Sequence, residues 1–477
     1  MSQQSPDIWR HSELQQEIRQ LVTESSLAFG TPAHIQILDN IFNYPTAPEV
    51  YADAALYLSA IQRHFRHANY TEQMKLTLSV HDARANALEL SMWNDAMESN
   101  SAIQIAHKLR PPHPWYASYR QAIVQLLSQS AAPWPHIEEG PLFDLNSQDN
   151  RTQQVHLILE RWKLKGTSGL QQFQQIHGLK VDGIIGQNTR YWLNMSPVAR
   201  AIILARNSQR LHAAPNTNFQ NTVWVNVPSF ELNYWRYGEH QIASRVIVGK
   251  KSRKTPMLIS HIDQLIANPA WNVPYRIMRY DILPKAQNDP SYLAERGFRV
   301  INSDRSYRAE TVPLESFDWP NVTILNFPFL LQQAPGKNNA LGSIKFNFPN
   351  RYRVYLHDTN QPELFENHHR ALSSGCIRVE KAQQLAELLM SPSQNIKWTQ
   401  WRESMQTSDL RPEQNAIIQI TYLTAWPEKN GEFSYRNDIY QYDASSLKMA
   451  SNWPKALVMN DNNGLTNFSP TRIFSNR

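Results

Sequence analysis

Over the first 150 residues apolar side chains recur at helical spacing. Leu14, Ile18, Leu21 and Val22 follow the i, i+4, i+7, i+8 rule of one buried face, and similar groups run through 51–61 and 74–92. This predicts a helical front at 1–150, which carries no catalytic motif and reads as a scaffold or interaction domain. A small helical module is predicted at 151–195, from Val155, Leu157, Ile158 and Leu164, then 170–177, then Tyr191 and Leu193. Gly183 and Gly186 fall where a tight turn needs backbone freedom, and Asp182 and Asn188 suit turn and cap positions. Ser196-Pro197 opens another helix with Val198, Ala201, Ile202 and Ala205 on one face, predicted to be a helical linker over 196–221. From Thr222 the period drops to two. Val223, Val225 and Val227 alternate, Phe230, Leu232 and Tyr234 lead to a turn at Tyr237-Gly238-Glu239, and Ile242, Val246 and Val248 resume. A β-rich domain is therefore expected over 222–477, with further strands at 352–357 and 416–422. An excursion at about 281–330 reads as a capping insertion, and about 400–477 as a C-terminal extension. The predicted fold class is α+β.

At 477 residues the chain exceeds one ordinary core, in keeping with about three domains. The 29 Pro against 15 Gly point to stiff connections. A net charge of +6 is spread along the chain without a basic run, which argues against nucleic acid and suits an acidic polymer as well as many other partners. No stretch approaches the roughly 20 apolar residues of a membrane span, and the first ten residues lack a signal-peptide pattern. Two expectations stay open: a cytoplasmic protein, or an exported one whose signal is not in this sequence. The single Cys excludes an intrachain disulfide and any zinc site built on several thiolates. A lone Cys is most often a small buried hydrophobe, but the neighbours of Cys376 argue for chemistry.

In 352–357, Tyr352, Val354 and Leu356 fall on one strand face and Arg353, Tyr355 and His357 on the other, so His357 is predicted at a strand end facing away from the apolar side. Further on comes Ser373-Ser374-Gly375-Cys376-Ile377-Arg378. Ala382, Leu385, Ala386 and Leu389 predict a helix starting near Val379, which would put Cys376 at a helix N-terminus where a thiolate is favoured. The N–H groups of Gly375 and Cys376 are candidate oxyanion donors, with Ser374 as a further donor. A thiol near pKa 8.5 is mostly protonated at neutral pH, so it needs a base, and His357 is the candidate. His368 and His369 with His357 and Cys376 form an alternative zinc set, disfavoured by spacing and by the polar run around the paired histidines. Papain-like hydrolases place Cys before His, the reverse of this order. Tyr355 and Trp271 either line a substrate groove or pack in the core.

The upstream His357 and the Ser-Gly-Cys turn resemble the signature of the YkuD-type L,D-transpeptidases, as do Val248-Gly249-Lys250 with Thr255-Pro256, the segment 268–274, and Pro335-Gly336 with 339–342. The resemblance covers about 222–395, and the whole chain looks like the large Gram-negative periplasmic members. Residues 151–194, with Phe173-Gln174 ahead of the loop, resemble a three-helix peptidoglycan-binding domain. Ser374 stands where the short motif has a histidine, leaving His357 as the motif's histidine. The resemblance implies a Cys376 nucleophile that takes up a tetrapeptide donor stem as a thioester with release of D-Ala. An acceptor stem then gives a 3→3 cross-link. Hydrolysis would make the protein an L,D-carboxypeptidase, and a degenerate site would leave a wall-binding scaffold. It further implies Ser373, Ser374 and Gly375 as active-loop residues, Arg378, Tyr355 and Trp271 as substrate-binding residues, carbapenem β-lactams as inhibitors, cell-wall synthesis partners, and neither metal nor cofactor.

Overall fold

A computed structural model describes residues 8–76, 84–214, 220–302 and 310–448. Parts of the expected front helices (77–83), of the insertion (303–309) and of the C-terminal extension (449–477) lie outside the described residues. The chain divides into two compact units, one of residues 1–217 with 422–477, the other of residues 218–421.

The first unit is helical. Its front helices include Ser12–Phe29, Pro32–Asn43 and Pro48–His67, and Thr152–Arg161, Gly166–Ile176 and Gln187–Leu193 follow. The turn before the last of these is tied by Gln174, whose Oε1 accepts the Gly183 N–H at 2.9 Å, and by Asp182, whose Oδ1 accepts the Ile184 N–H at 3.0 Å. The Pro197–Arg210 helix, expected to be a linker, is instead buried on almost every face. A helix in a core can be apolar all round, but this one carries Arg200, Arg206 and Arg210, each of which needs a partner. Asp443 supplies it for two of them: its Oδ1 accepts from Arg206 Nε at 2.8 Å and from Arg210 at 2.5 Å, while Arg200 donates to the Met195 and Trp192 carbonyls. Tyr119 donates to the Ala425 carbonyl at 2.5 Å and Trp192 to Asn437 at 2.8 Å. Residues 422–448 therefore belong to the helical unit and do not extend the β domain, because their polar groups complete a helix core.

The second unit is built on a curled 11-stranded sheet. Its strands are β1 (Asn221–Asn226), β2 (Glu231–Arg236), β3 (Glu239–Gly249), β4 (Leu258–Ile262) and β5 (Gln264–Ala267). After an insertion containing β6 (Trp271–Asn272), β7 (Phe298–Ile301), β8 (Thr311–Val312) and β9 (Leu330–Gln333) come β10 (Ile344–Asn347), β11 (Leu356–His357), β12 (Ala371–Ser373), β13 (Ile377–Val379), β14 (Ser408–Leu410) and β15 (Ala416–Thr421). The order is β14-β5-β10-β11-β13-β3-β2-β1-β15-β4, with β12 also on β3. One residue, Asp263, separates β4 at one end from β5 near the other, so the sheet must curl until its edges approach. Val223 and Val225 of β1 and Val227 just after it are all buried, as their spacing predicts, but Thr222 and Asn226 are buried as well. The β2–β3 turn runs through Tyr237 (φ 52°) and Gly238 (φ 81°), the double positive φ of a two-residue hairpin turn.

Expected as a strand, 352–357 is paired only at Leu356 and His357, because Arg353 adopts φ 57° and breaks the alternation. His357 is consequently buried at 5% exposure instead of facing away from the core. The insertion folds as a four-stranded antiparallel sheet, β6-β9-β7-β8, over its own core of Met278, Leu283, Phe298, Trp319, Phe327 and Leu331. Within it Met278–Ile282 forms a π-turn just before Pro284, whose missing N–H and ring disfavour continued α-helical bonding.

Candidate active site

Cys376 sits at a tight turn between β12 and β13, two short strands that both hydrogen-bond to β3. Gly375 takes φ 121°, a backbone state that L side chains rarely adopt. Ser373 clamps the turn: its Oγ accepts the Gly375 N–H at 3.1 Å and donates to the Cys376 carbonyl at 2.5 Å. The Gly375 N–H is thus already engaged, and of the two expected oxyanion donors the Cys376 N–H is left. Thr255, fully buried, accepts the Gly249 N–H and donates to the Gly375 carbonyl, both at 2.8 Å. A Cβ at Gly249 would meet the Arg253 carbonyl at 2.2 Å, so glycine there lets the 250–255 loop close on the Cys376 turn.

The helix expected from about Val379 begins only at Ala382, six residues beyond the sulfur. Ile377 and Val379 pair in strand β13 instead, as β-branched residues readily do. Cys376 is therefore not at a helix N-terminus, and the dipole does not help its thiolate. It keeps some exposed surface, yet its sulfur is packed closely enough that burial pushes the thiol up from its ordinary pKa. Hydrogen bonding from Tyr355 and the charge of Lys345 pull the other way.

β11 and β13 run parallel with Leu356 beside Ile377 and His357 beside Arg378. Stepping back one residue in each strand sets Tyr355 against Cys376, and the Tyr355 carbonyl accepts the Ile377 N–H at 3.1 Å. No hydrogen bond joins His357 directly to Cys376 among the described residues. Tyr355 stands between them in contact terms: its ring meets that of His357 edge-on at 5.7 Å, and its hydroxyl interacts with the thiol and with Trp271. Burial drives the phenol far above its ordinary value, so it remains a neutral donor.

His357 Nδ1 lies 2.6 Å from the Asp358 carbonyl, so Nδ1 carries the proton and Nε2 is the acceptor. Burial, with Arg378 and Lys345 adding positive charge, lowers its pKa to about 3, opposed by the backbone carbonyls of Asp358 and Leu341. The ring is neutral at physiological pH. Arg378 reaches Gln361 Oε1 at 3.3 Å. Ser374 Oγ accepts from Arg253 at 2.8 Å, and Arg253 also pairs with Asp281 from the π-turn of the insertion.

The structure thus gathers Cys376, His357, Tyr355, Trp271, Ser373, Ser374, Gly375 and Arg378 in one region. Lys345, Arg253, Thr255 and Asp281 were not picked out as site residues from the sequence. Lys345 alternates with Ile344 and Phe346 in β10, a pattern that reads as a solvated strand face. Asp281 has no local motif at all. Among the described residues no group of three His, Cys, Asp or Glu side chains is arranged to hold a metal ion.

A Haemophilus influenzae protein provisionally named an L,D-transpeptidase is 39% identical over 255 residues, covering 52% of this chain and 50% of that one. The chain spans about half the length of that relative. The crystal structure of Mycobacterium tuberculosis L,D-transpeptidase 1 is similar at 11% identity over 42% of this chain and 61% of that one, with a TM-score of 0.16, too loose a superposition to argue from. Residues 220–402, which contain every site residue described above, match the YkuD family model, the L,D-transpeptidase catalytic domain.

Proposed function

We propose that this chain is a peptidoglycan L,D-transpeptidase that forms 3→3 cross-links through a thioester at Cys376. The observation that carries the reading is the chain's single thiol on a clamped turn, with Tyr355 in contact with both it and a neutral histidine, inside the matched catalytic domain. In this mechanism Sγ attacks the carbonyl carbon of the third residue of a tetrapeptide stem, and the thiol proton passes to His357 Nε2. The Cys376 N–H faces the developing oxyanion. The amide C–N bond breaks, the proton moves from His357 to the departing D-Ala amine, and the acyl group stays on sulfur. A side-chain amine of a second stem then attacks the thioester. Its proton returns through His357 as the C–S bond breaks.

A thiol raised by burial and an imidazole that protonates only near pH 3 do not form a resting ion pair, so proton transfer accompanies the attack. Tyr355, Trp271 and Arg378 are read as donor-stem contacts, and the 151–195 helices as the part that binds the wall. Such a substrate belongs to the bacterial periplasm. The test is the mass of products made from purified disaccharide-tetrapeptides. Cross-linked dimers with one D-Ala released per link are expected. Tripeptides alone would make the protein an L,D-carboxypeptidase, and unchanged substrate would remove the enzymatic reading.

A further inference from the structure

Without a helix N-terminus behind it, the Cys376 thiolate needs positive charge from another source. Lys345 pairs with His357 across β10 and β11, and its ammonium lies 4.2 Å from the centroid of the Tyr355 ring, the ring whose hydroxyl interacts with the thiol. No carboxylate pairs with this ammonium among the described residues, although burial lowers its pKa. A partly buried lysine gains cation–π stabilisation from such a ring, but an ammonium kept there without a counter-ion remains available to an anion that forms beside it. We propose that Lys345 is a positioning residue of this site, holding the Tyr355 ring against Cys376 and supplying the positive charge that the thiolate requires. The other ionisable groups around the thiol are accounted for. Tyr355 stays a neutral phenol, His357 a neutral imidazole, Arg378 bonds to Gln361 and faces the Glu363 carboxylate, and Arg253 is offset by Asp281.

The inference deepens the acyltransferase reading by assigning the cation of the same site, but its test needs no peptidoglycan. The full chain is alkylated at Cys376 with neutral iodoacetamide and anionic iodoacetate across pH 7 to 10, as wild type, Lys345→Gln, Lys345→Met and Lys345→Arg. Loss of the ammonium should raise the thiol's apparent pKa by about one unit, slowing alkylation roughly tenfold at pH 8. It should also lower the iodoacetate-to-iodoacetamide rate ratio several-fold, which a purely structural lysine would not do. Lys345→Arg should stay within about threefold of wild type. Lys345→Gln keeps a polar side chain of similar reach, so a folded neutral variant is available if Lys345→Met unfolds. A wild-type pH profile and rate ratio in folded Lys345→Gln would overturn the proposal. Altered profiles in a protein that makes no cross-links would uphold Lys345 and defeat only the transpeptidase reading.

Discussion

Two buried clusters of ionisable groups, one in each unit, are built on opposite terms. Around the Pro197–Arg210 helix, Arg206 and Arg210 share Asp443, which also accepts from Thr424 at 2.7 Å, and the two guanidinium groups hold its carboxyl well below the usual range. These two guanidinium groups share one carboxylate and have hydrogen bonds to match, which is what makes their burial tolerable. Around Cys376, the thiol, His357 and Lys345 sit together, none of them paired with a carboxylate among the described residues. Burial pushes each towards its neutral form: His357 down, Lys345 down, Cys376 up. A satisfied cluster fixes structure, whereas an unsatisfied one holds protons and charges ready to move, the pattern that marks functional sites.

Truncating each cluster should therefore fail differently. The largest expected effect is Cys376→Ala, which should remove cross-linking below detection while leaving the melting temperature within a degree or two of wild type. His357→Ala should slow acylation by about two to four powers of ten, the usual worth of a positioned base, again with little change in melting. A loss under threefold would place the base elsewhere. Asp443→Ala should cost about 3–5 kcal/mol of stability, because two buried guanidinium groups lose their counter-charge. Denaturation should reveal that loss in the helical unit, with Cys376 alkylation in the native protein unchanged. The same carboxyl has a depressed pKa in the folded state, so its contribution is present above about pH 4 and is lost as pH falls below that. A helical unit equally stable at pH 3 and pH 6 would contradict this. The smallest effect is expected for Arg253→Gln, which removes hydrogen bonds to Ser374 and Asp281 at the rim of the site. About 1 kcal/mol, or a fivefold fall in kcat/KM, would follow.

What the sequence made legible was local. The hairpins of β1 to β3 announce themselves by period-two alternation and by Gly238 at a turn that demands positive φ. Cys376 and His357 stand out because few other arrangements explain a lone thiol after Ser-Ser-Gly with a histidine 19 positions upstream. The start of the following helix was misplaced because Ile377 and Val379 continue an apolar pattern that fits either a strand or a first helical turn, and only pairing with β3 decides. Arg353 is an ordinary residue in a left-handed conformation, invisible in the alternation it interrupts. The assignment of 422–448 depends on Asp443 meeting arginines more than 230 positions away, and that of Lys345 on a ring brought over it by a neighbouring strand. Such partners are chosen by the fold, and no local pattern records them.

The account rests most heavily on a covalent acyl group at the single thiol. Whole-chain mass spectrometry after brief incubation with a disaccharide-tetrapeptide, and separately with a carbapenem, tests it directly. One adduct per chain is predicted in each case, mapped to Cys376, absent from Cys376→Ala and much slower to form in His357→Ala. With the tetrapeptide, its mass should correspond to the stem lacking D-Ala. A folded chain that turns over tetrapeptide at an unchanged rate as Cys376→Ala, or an adduct that maps elsewhere, would contradict the central claim.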